Sequence, residues 1–110
     1  MNEVKKRMLV LLRVIRLLYV MRDVIDEYLS GKLDRPGAVR TFCDSITGDD
    51  IDIIHSSFPC ILTNCYHSIM HLTESGYETS DDEMAFFRDC IVKAKKYNPD
   101  ELMKFACGLR

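Results

Sequence analysis

The sequence predicts an all-α chain, a single-domain bundle of five or six helices gathered around a long N-terminal helix. Three observations predict it. Apolar residues recur at intervals of three and four through most of the chain; Pro, Gly and Ser/Thr/Asp punctuate it where helices start and stop; and no window shows sustained period-two alternation or an Asn-Gly or Asp-Gly hairpin turn. With 110 residues, 47% hydrophobic and 29% charged, the chain can enclose one core, which sets the domain at 1–110.

The first helix runs from Asn2 to Ser30 without Pro or Gly, and Gly31 follows where a left-handed terminal residue is needed. Lys6, Arg13, Arg16, Asp23 and Glu27 stack in one narrow polar stripe, and Leu, Val, Ile, Met and Tyr fill most of the rest. Such a pattern predicts a central rod wrapped by neighbours on most sides. The same segment is not a membrane span or a signal peptide, because Arg13 and Arg16 interrupt the apolar run.

Pro36 opens the second helix, with Val39, Phe42, Cys43 and Ile46 facing inward and Gly48 as its end. Thr47 and Asp50 are spaced to cap a short third helix, Asp50 to Ser57, whose apolar side is Ile51, Ile54 and Phe58. Pro59 restarts a helix whose Ile61, Leu62, Cys65, Ile69 and Leu72 form a stripe that Gly76 breaks. Ser80 and Glu83 make a capping box for a fifth helix, carrying Met84, Phe87, Ile91 and Ala94, expected to reach about Tyr97. Asn98, Pro99 and Glu101 start a last helix that buries Leu102, Phe105 and Ala106 and stops at Gly108.

Five Cys, an odd number with no CxxC pair, argue against a disulfide framework and a four-thiolate zinc site, and favour a cytoplasmic protein. Cys60, Asn64, His67 and His71 fall on one helical face, but the HxxxH pair lacks the glutamate of HExxH, and a zinc site needs three or four ligands. No Gly-rich phosphate loop and no nucleophile elbow occur. The expectation is therefore no catalytic residues, no cofactor and no metal site, with metal binding by Cys60, His67 and His71 left open.

Charge is strongly polarised. Residues 1–22 carry six basic side chains and one acidic, whereas residues 44–83 carry nine acidic and no Lys or Arg. The nine are Asp44, Asp49, Asp50, Asp52, Glu74, Glu78, Asp81, Asp82 and Glu83. Helix capping accounts for several of them singly. Forty residues without a cation predict more, an acidic face that repels nucleic acid and meets a cationic protein surface. The partner-binding set expected from this is Asp49, Asp50, Asp52, Glu74, Tyr77, Glu78, Asp81, Asp82 and Glu83, with Tyr77 the aromatic anchor and Tyr66 the next candidate.

The stretch VIDEYLSGKL, Val24 to Leu33, resembles a segment of bacterial immunity proteins of the colicin-immunity and contact-dependent growth-inhibition type, in which an acidic amphipathic helix ends in a Leu-Ser-Gly turn. A following helix there carries a buried Phe, a part that the resemblance gives here to Phe42 and Ile46. The resemblance implies a small cytosolic antidote that occludes a cognate toxin domain, commonly a nuclease, with no direct contact to nucleic acid or membrane. The competing expectation is a viral or cellular helical-bundle regulator that takes a partner helix into an apolar groove. A Cys/His metal-dependent enzyme is the third reading.

Overall fold

A computed structural model describes residues 2–56, 60–93 and 95–106, without the side chains of Met103 and Ala106. Among these residues there are six α-helices, one short 3₁₀ turn and no strand: α1 (Glu3–Leu29), α2 (Arg35–Asp44), α3 (Gly48–His55), α4 (Cys60–Met70), α5 (Asp81–Ile91) and α6 (Pro99–Ala106), with the 3₁₀ turn His71–Thr73 extending α4. Phe58, Pro59, Ala94 and Gly108, assigned above to helix faces and ends, lie outside the described residues, as does the side chain of Ala106.

The capping chemistry explains most boundaries. The Asn2 side chain accepts from the Lys5 N–H, and Gly31 turns the chain out of α1 at φ +84°. Thr47 and Asp50 form a reciprocal capping box at α3, and Ser80 accepts from the Glu83 N–H at α5. Gly76 makes the turn after the 3₁₀ segment at φ +85°.

Pro36 sits in the first turn of α2, where the sequence reading puts it, and Asp34 caps the helix by accepting from the Gly37 N–H. Two boundaries differ from the sequence reading. Gly48 does not end α2, which stops at Asp44; it is the first residue of α3. Helix α5 ends at Ile91, six residues before Tyr97, because Lys93 takes a left-handed conformation at φ 64° and turns the chain. That costs a non-glycine residue about 1–2 kcal/mol, and it lets the Tyr97 ring come back over Phe86 and Phe87, with centroids at 6.0 and 6.2 Å.

Helix α5 lies antiparallel along α1: Asp81 at its start meets Tyr28, Arg88 stands 4.0 Å from Asp26, and Lys93 beyond its end lies beside Leu11, Ile15 and Leu18. Helix α2 packs on the C-terminal half of α1, α3 beside its middle, α4 across both, and α6 on α5 through Phe105 and Phe86. Phe42, Phe87, Leu17, Met21, Ile25, Ile54, Leu62, Ile69 and Met84 fill the centre.

The central-rod expectation holds for half of α1. Its buried residues, Val14, Leu17, Met21, Val24 and Ile25, begin only near its midpoint. Before Val14 every described position is exposed. At 1.5 Å per residue the helix is about 40 Å long, close to the whole 46 Å long axis of the protein. The other helices are too short to cover it, so its first three turns project with their apolar side chains in solvent.

Candidate functional site

The acidic segment divides into two groups. At the start of α3, Asp50 is buried, closes the capping box with Thr47 and meets Arg16 at 3.2 Å. Burial pushes the Asp50 carboxyl up, but hydrogen bonds from Thr47 and the Arg16 charge more than offset this and hold it below its ordinary value. Asp49 lies 3.8 Å from Arg13, and Asp52 is exposed on the same helix. At the start of α5, Asp81 accepts from the Tyr28 hydroxyl at 2.6 Å and stands 3.7 Å from Arg35. Glu83 is buried, with its carboxylate accepting from the Ser68 hydroxyl.

Arg35 does more than pair with Asp81. Its guanidinium donates to the Thr79 carbonyl at 2.7 Å and the Leu72 carbonyl at 3.1 Å, while Thr79 donates to the Ser68 carbonyl at 2.5 Å. Burial raises the Tyr28 hydroxyl pKa, and its bond to Asp81 adds to that. The loop from Glu74 to Ser80 is thereby clamped to α1 and α2, and of the four carboxylates from Ser75 to Glu83, Asp81 and Glu83 bond across the fold while Glu78 accepts from the Gly76 N–H at 3.1 Å.

Two expected contact residues are corrected by this geometry: Asp50 and Glu83 point into the fold and present nothing to a partner. The expected single acidic face also divides. One group sits level with Arg16 and the other level with Tyr28, twelve residues apart on α1, or about 18 Å. Arg13, Arg16 and Arg35 of the chain itself answer part of its charge. Glu74, Tyr77, Glu78 and Asp82 remain together and exposed in the loop and first turn of α5, with Tyr77 at 74%.

The His/Cys/Asn row separates as well. Asn64 donates to the Tyr97 hydroxyl at 2.5 Å, whereas His67 stands between His55 and His71, with ring centroids at 6.2 and 6.4 Å, and edge-on to Tyr66 at 5.4 Å. Burial lowers the His67 pKa, and its two His neighbours lower it further. His55 thus joins the pair as a neighbour the sequence could not place. Among the described residues no three His, Cys, Asp or Glu side chains are grouped so as to hold a metal ion. Burial pushes the Cys65 thiol far up and the Cys90 thiol up, which disfavours the thiolate at both.

A further feature lies where the sequence reading expected core. Val4, Met8, Leu11, Leu12, Ile15 and Tyr19 share one arc of α1 at helical spacing and are all exposed, Leu12 at 61%. Beside them a groove of about 680 Å³ runs under the projecting half of the helix, walled by Val10, Leu11, Val14, Ile15 and Leu18, with Lys6, Arg7 and Lys93 supplying the charge. The six side chains of that arc form a contiguous exposed apolar row of the kind that marks an interaction site, and Leu9 and Val10 are exposed on other sides of the helix. The signal that could have disclosed this face is the placement of Lys5, Lys6 and Arg7 among apolar residues that no other element is long enough to reach.

No helix among the described residues is long and apolar enough to cross a membrane. Compared with known proteins, the chain matches no family model, no curated protein and no solved structure.

Proposed function

We propose that the protein acts by binding another protein through the exposed face of α1, which receives an apolar helix whose flanks carry acidic residues. The observation that carries this is the row Val4, Met8, Leu11, Leu12, Ile15 and Tyr19 in solvent beside a groove whose charged residues are all cationic. Helix-in-groove recognition uses such surfaces, with affinity from the apolar anchors and orientation from the charges. A bilayer is the poorer occupant, because the same helix continues into Asp23 and Asp26, which an anionic membrane surface would repel.

A second reading is supported by one specific observation, the cluster Glu74, Tyr77, Glu78 and Asp82 with its fully presented aromatic ring. In that reading the protein is a toxin inhibitor of the immunity type, and this loop, reduced from the wider acidic set, enters a basic cleft of the toxin.

Photo-crosslinking in the cells of origin separates the two. A benzophenone side chain at Leu12 should give protein adducts, while one at Lys32 should give none. Adducts at Glu78 instead would favour the inhibitor reading. Adducts at neither position, or flotation with anionic vesicles that the L11E/L12E variant abolishes, would overturn the α1 reading.

A further inference from the structure

We propose that the occupant of the α1 face is a second copy of this chain, the two α1 helices packing antiparallel. The inference rests on the reading that α1 is the binding surface and adds the identity of what binds.

The charge along α1 selects this occupant. Lys5, Lys6, Arg7, Arg13, Arg16 and Arg22 stand against one acid, Glu3, up to residue 22; then come Asp23, Asp26 and Glu27 with no cation. Asp23 and Asp26 are exposed on the helix, Asp23 accepting from Arg22 at 2.9 Å and Asp26 standing 4.0 Å from Arg88, and Asp26 lies on the same arc as Met8, Ile15 and Tyr19. The acidic flank wanted by the apolar row is thus present on the helix that carries the row. A parallel pair would set cations on cations and carboxylates on carboxylates. Reversing one helix sets each basic end against the other's acidic half and opposes the two helix dipoles favourably.

An antiparallel overlap centred on Ile15 sets Leu11 level with Tyr19 of the other copy and Met8 level with Arg22, whose guanidinium lies over its own Tyr19 ring. Lys5, on the same edge of the row as Asp23, then lies alongside it in the partner, with Asp26 next to it in the middle of the row, once at each end by two-fold symmetry. The apolar row from Val4 to Tyr19 is about 22 Å long. Arg13 and Arg16 are turned away toward α3 and leave this edge free.

Sedimentation equilibrium and light scattering on the full chain, from sub-micromolar to millimolar, test this. The mass should rise from 12.7 kDa to twice that value. L11E/L12E should stay at 12.7 kDa with unchanged circular dichroism and melting, since both side chains are exposed. At low salt, K5E alone and D23K/D26K alone should each weaken the dimer about tenfold, and K5E/D23K/D26K in one chain should recover wild-type affinity. A parallel dimer would show no loss in K5E, and that result overturns the arrangement. A monomer at all concentrations overturns the second-copy inference. Adducts from Leu12 to a different protein would then leave the binding-face reading standing, and none would remove both.

Discussion

Leu12 and Leu17 lie five residues apart in α1, and the structure assigns them opposite thermodynamic weights. Leu17 is fully buried, so Leu17→Ala removes core contacts and leaves a cavity, a loss of about 3 kcal/mol within the 2–5 kcal/mol range for such sites. Leu12 is 61% exposed. Less than half of a burial contribution of about 2 kcal/mol is at stake there, and alanine's better helix propensity returns a few tenths, which leaves about 0.5 kcal/mol. Urea unfolding with linear extrapolation, at protein concentrations low enough to keep the chain monomeric, resolves the difference. The same pair measured at high concentration should draw closer, because a dimer stabilises the wild type by mass action and Leu12→Ala forfeits part of that gain. Equal costs for the two substitutions at the lowest concentration would refute the claim that the first three turns of α1 lie outside the core.

Other expectations follow from the clamp, the caps and the thiols. Arg35→Met removes the donors of the Leu72 and Thr79 carbonyls and should destabilise by about 2–4 kcal/mol in the same assay; Arg35→Lys should recover only part, because a lysine lacks the two-pronged donor geometry. The Asp50 carboxyl titrates below its unfolded value, so its contribution is complete above about pH 4 and lost as the pH falls through the folded value. The stability gap between wild type and Asp50→Asn should therefore be full at pH 7 and shrink at pH 3. For His67 the folded imidazole also titrates low, so stability is complete above about pH 6.5 and declines as the pH falls below it. An NMR titration should place the His67 midpoint under 6.5 and find it raised in His55→Gln. A thiol reagent should modify Cys43 and Cys60 in the folded protein and reach Cys65 only on unfolding.

The helical architecture was legible because local chemistry writes it locally. Thr47 with Asp50, Ser80 with Glu83 and the left-handed Gly31 act within a few residues, and each is found where the spacing placed it. The early end of α5 was not legible, since Lys93 has no intrinsic preference for a left-handed conformation and holds it while Tyr97 packs on Phe86 and Phe87. The acidic segment misled for a related reason. A charge count along the chain cannot see that Asp50 finds Arg16 across 34 positions or that Asp81 finds Tyr28 across 53. Helix α1 misled for another: a helix apolar on most of its circumference reads as enclosed, and the pattern is the same whether the enclosing surface belongs to the same chain or to another molecule. Beyond the hint of Lys5, Lys6 and Arg7, it is the lengths of the neighbouring helices, once folded, that show the first three turns uncovered.

The most direct measurement of that claim is a series of amide nitrogen–proton NMR spectra of the full chain as its concentration is raised. The account predicts progressive shifts and broadening for the exposed positions from Val4 to Tyr19 and for Asp23 and Asp26, with Tyr77, Glu78 and Asp82 unmoved. Changes confined to the 74–82 loop, or spectra that stay constant up to millimolar protein, would contradict it.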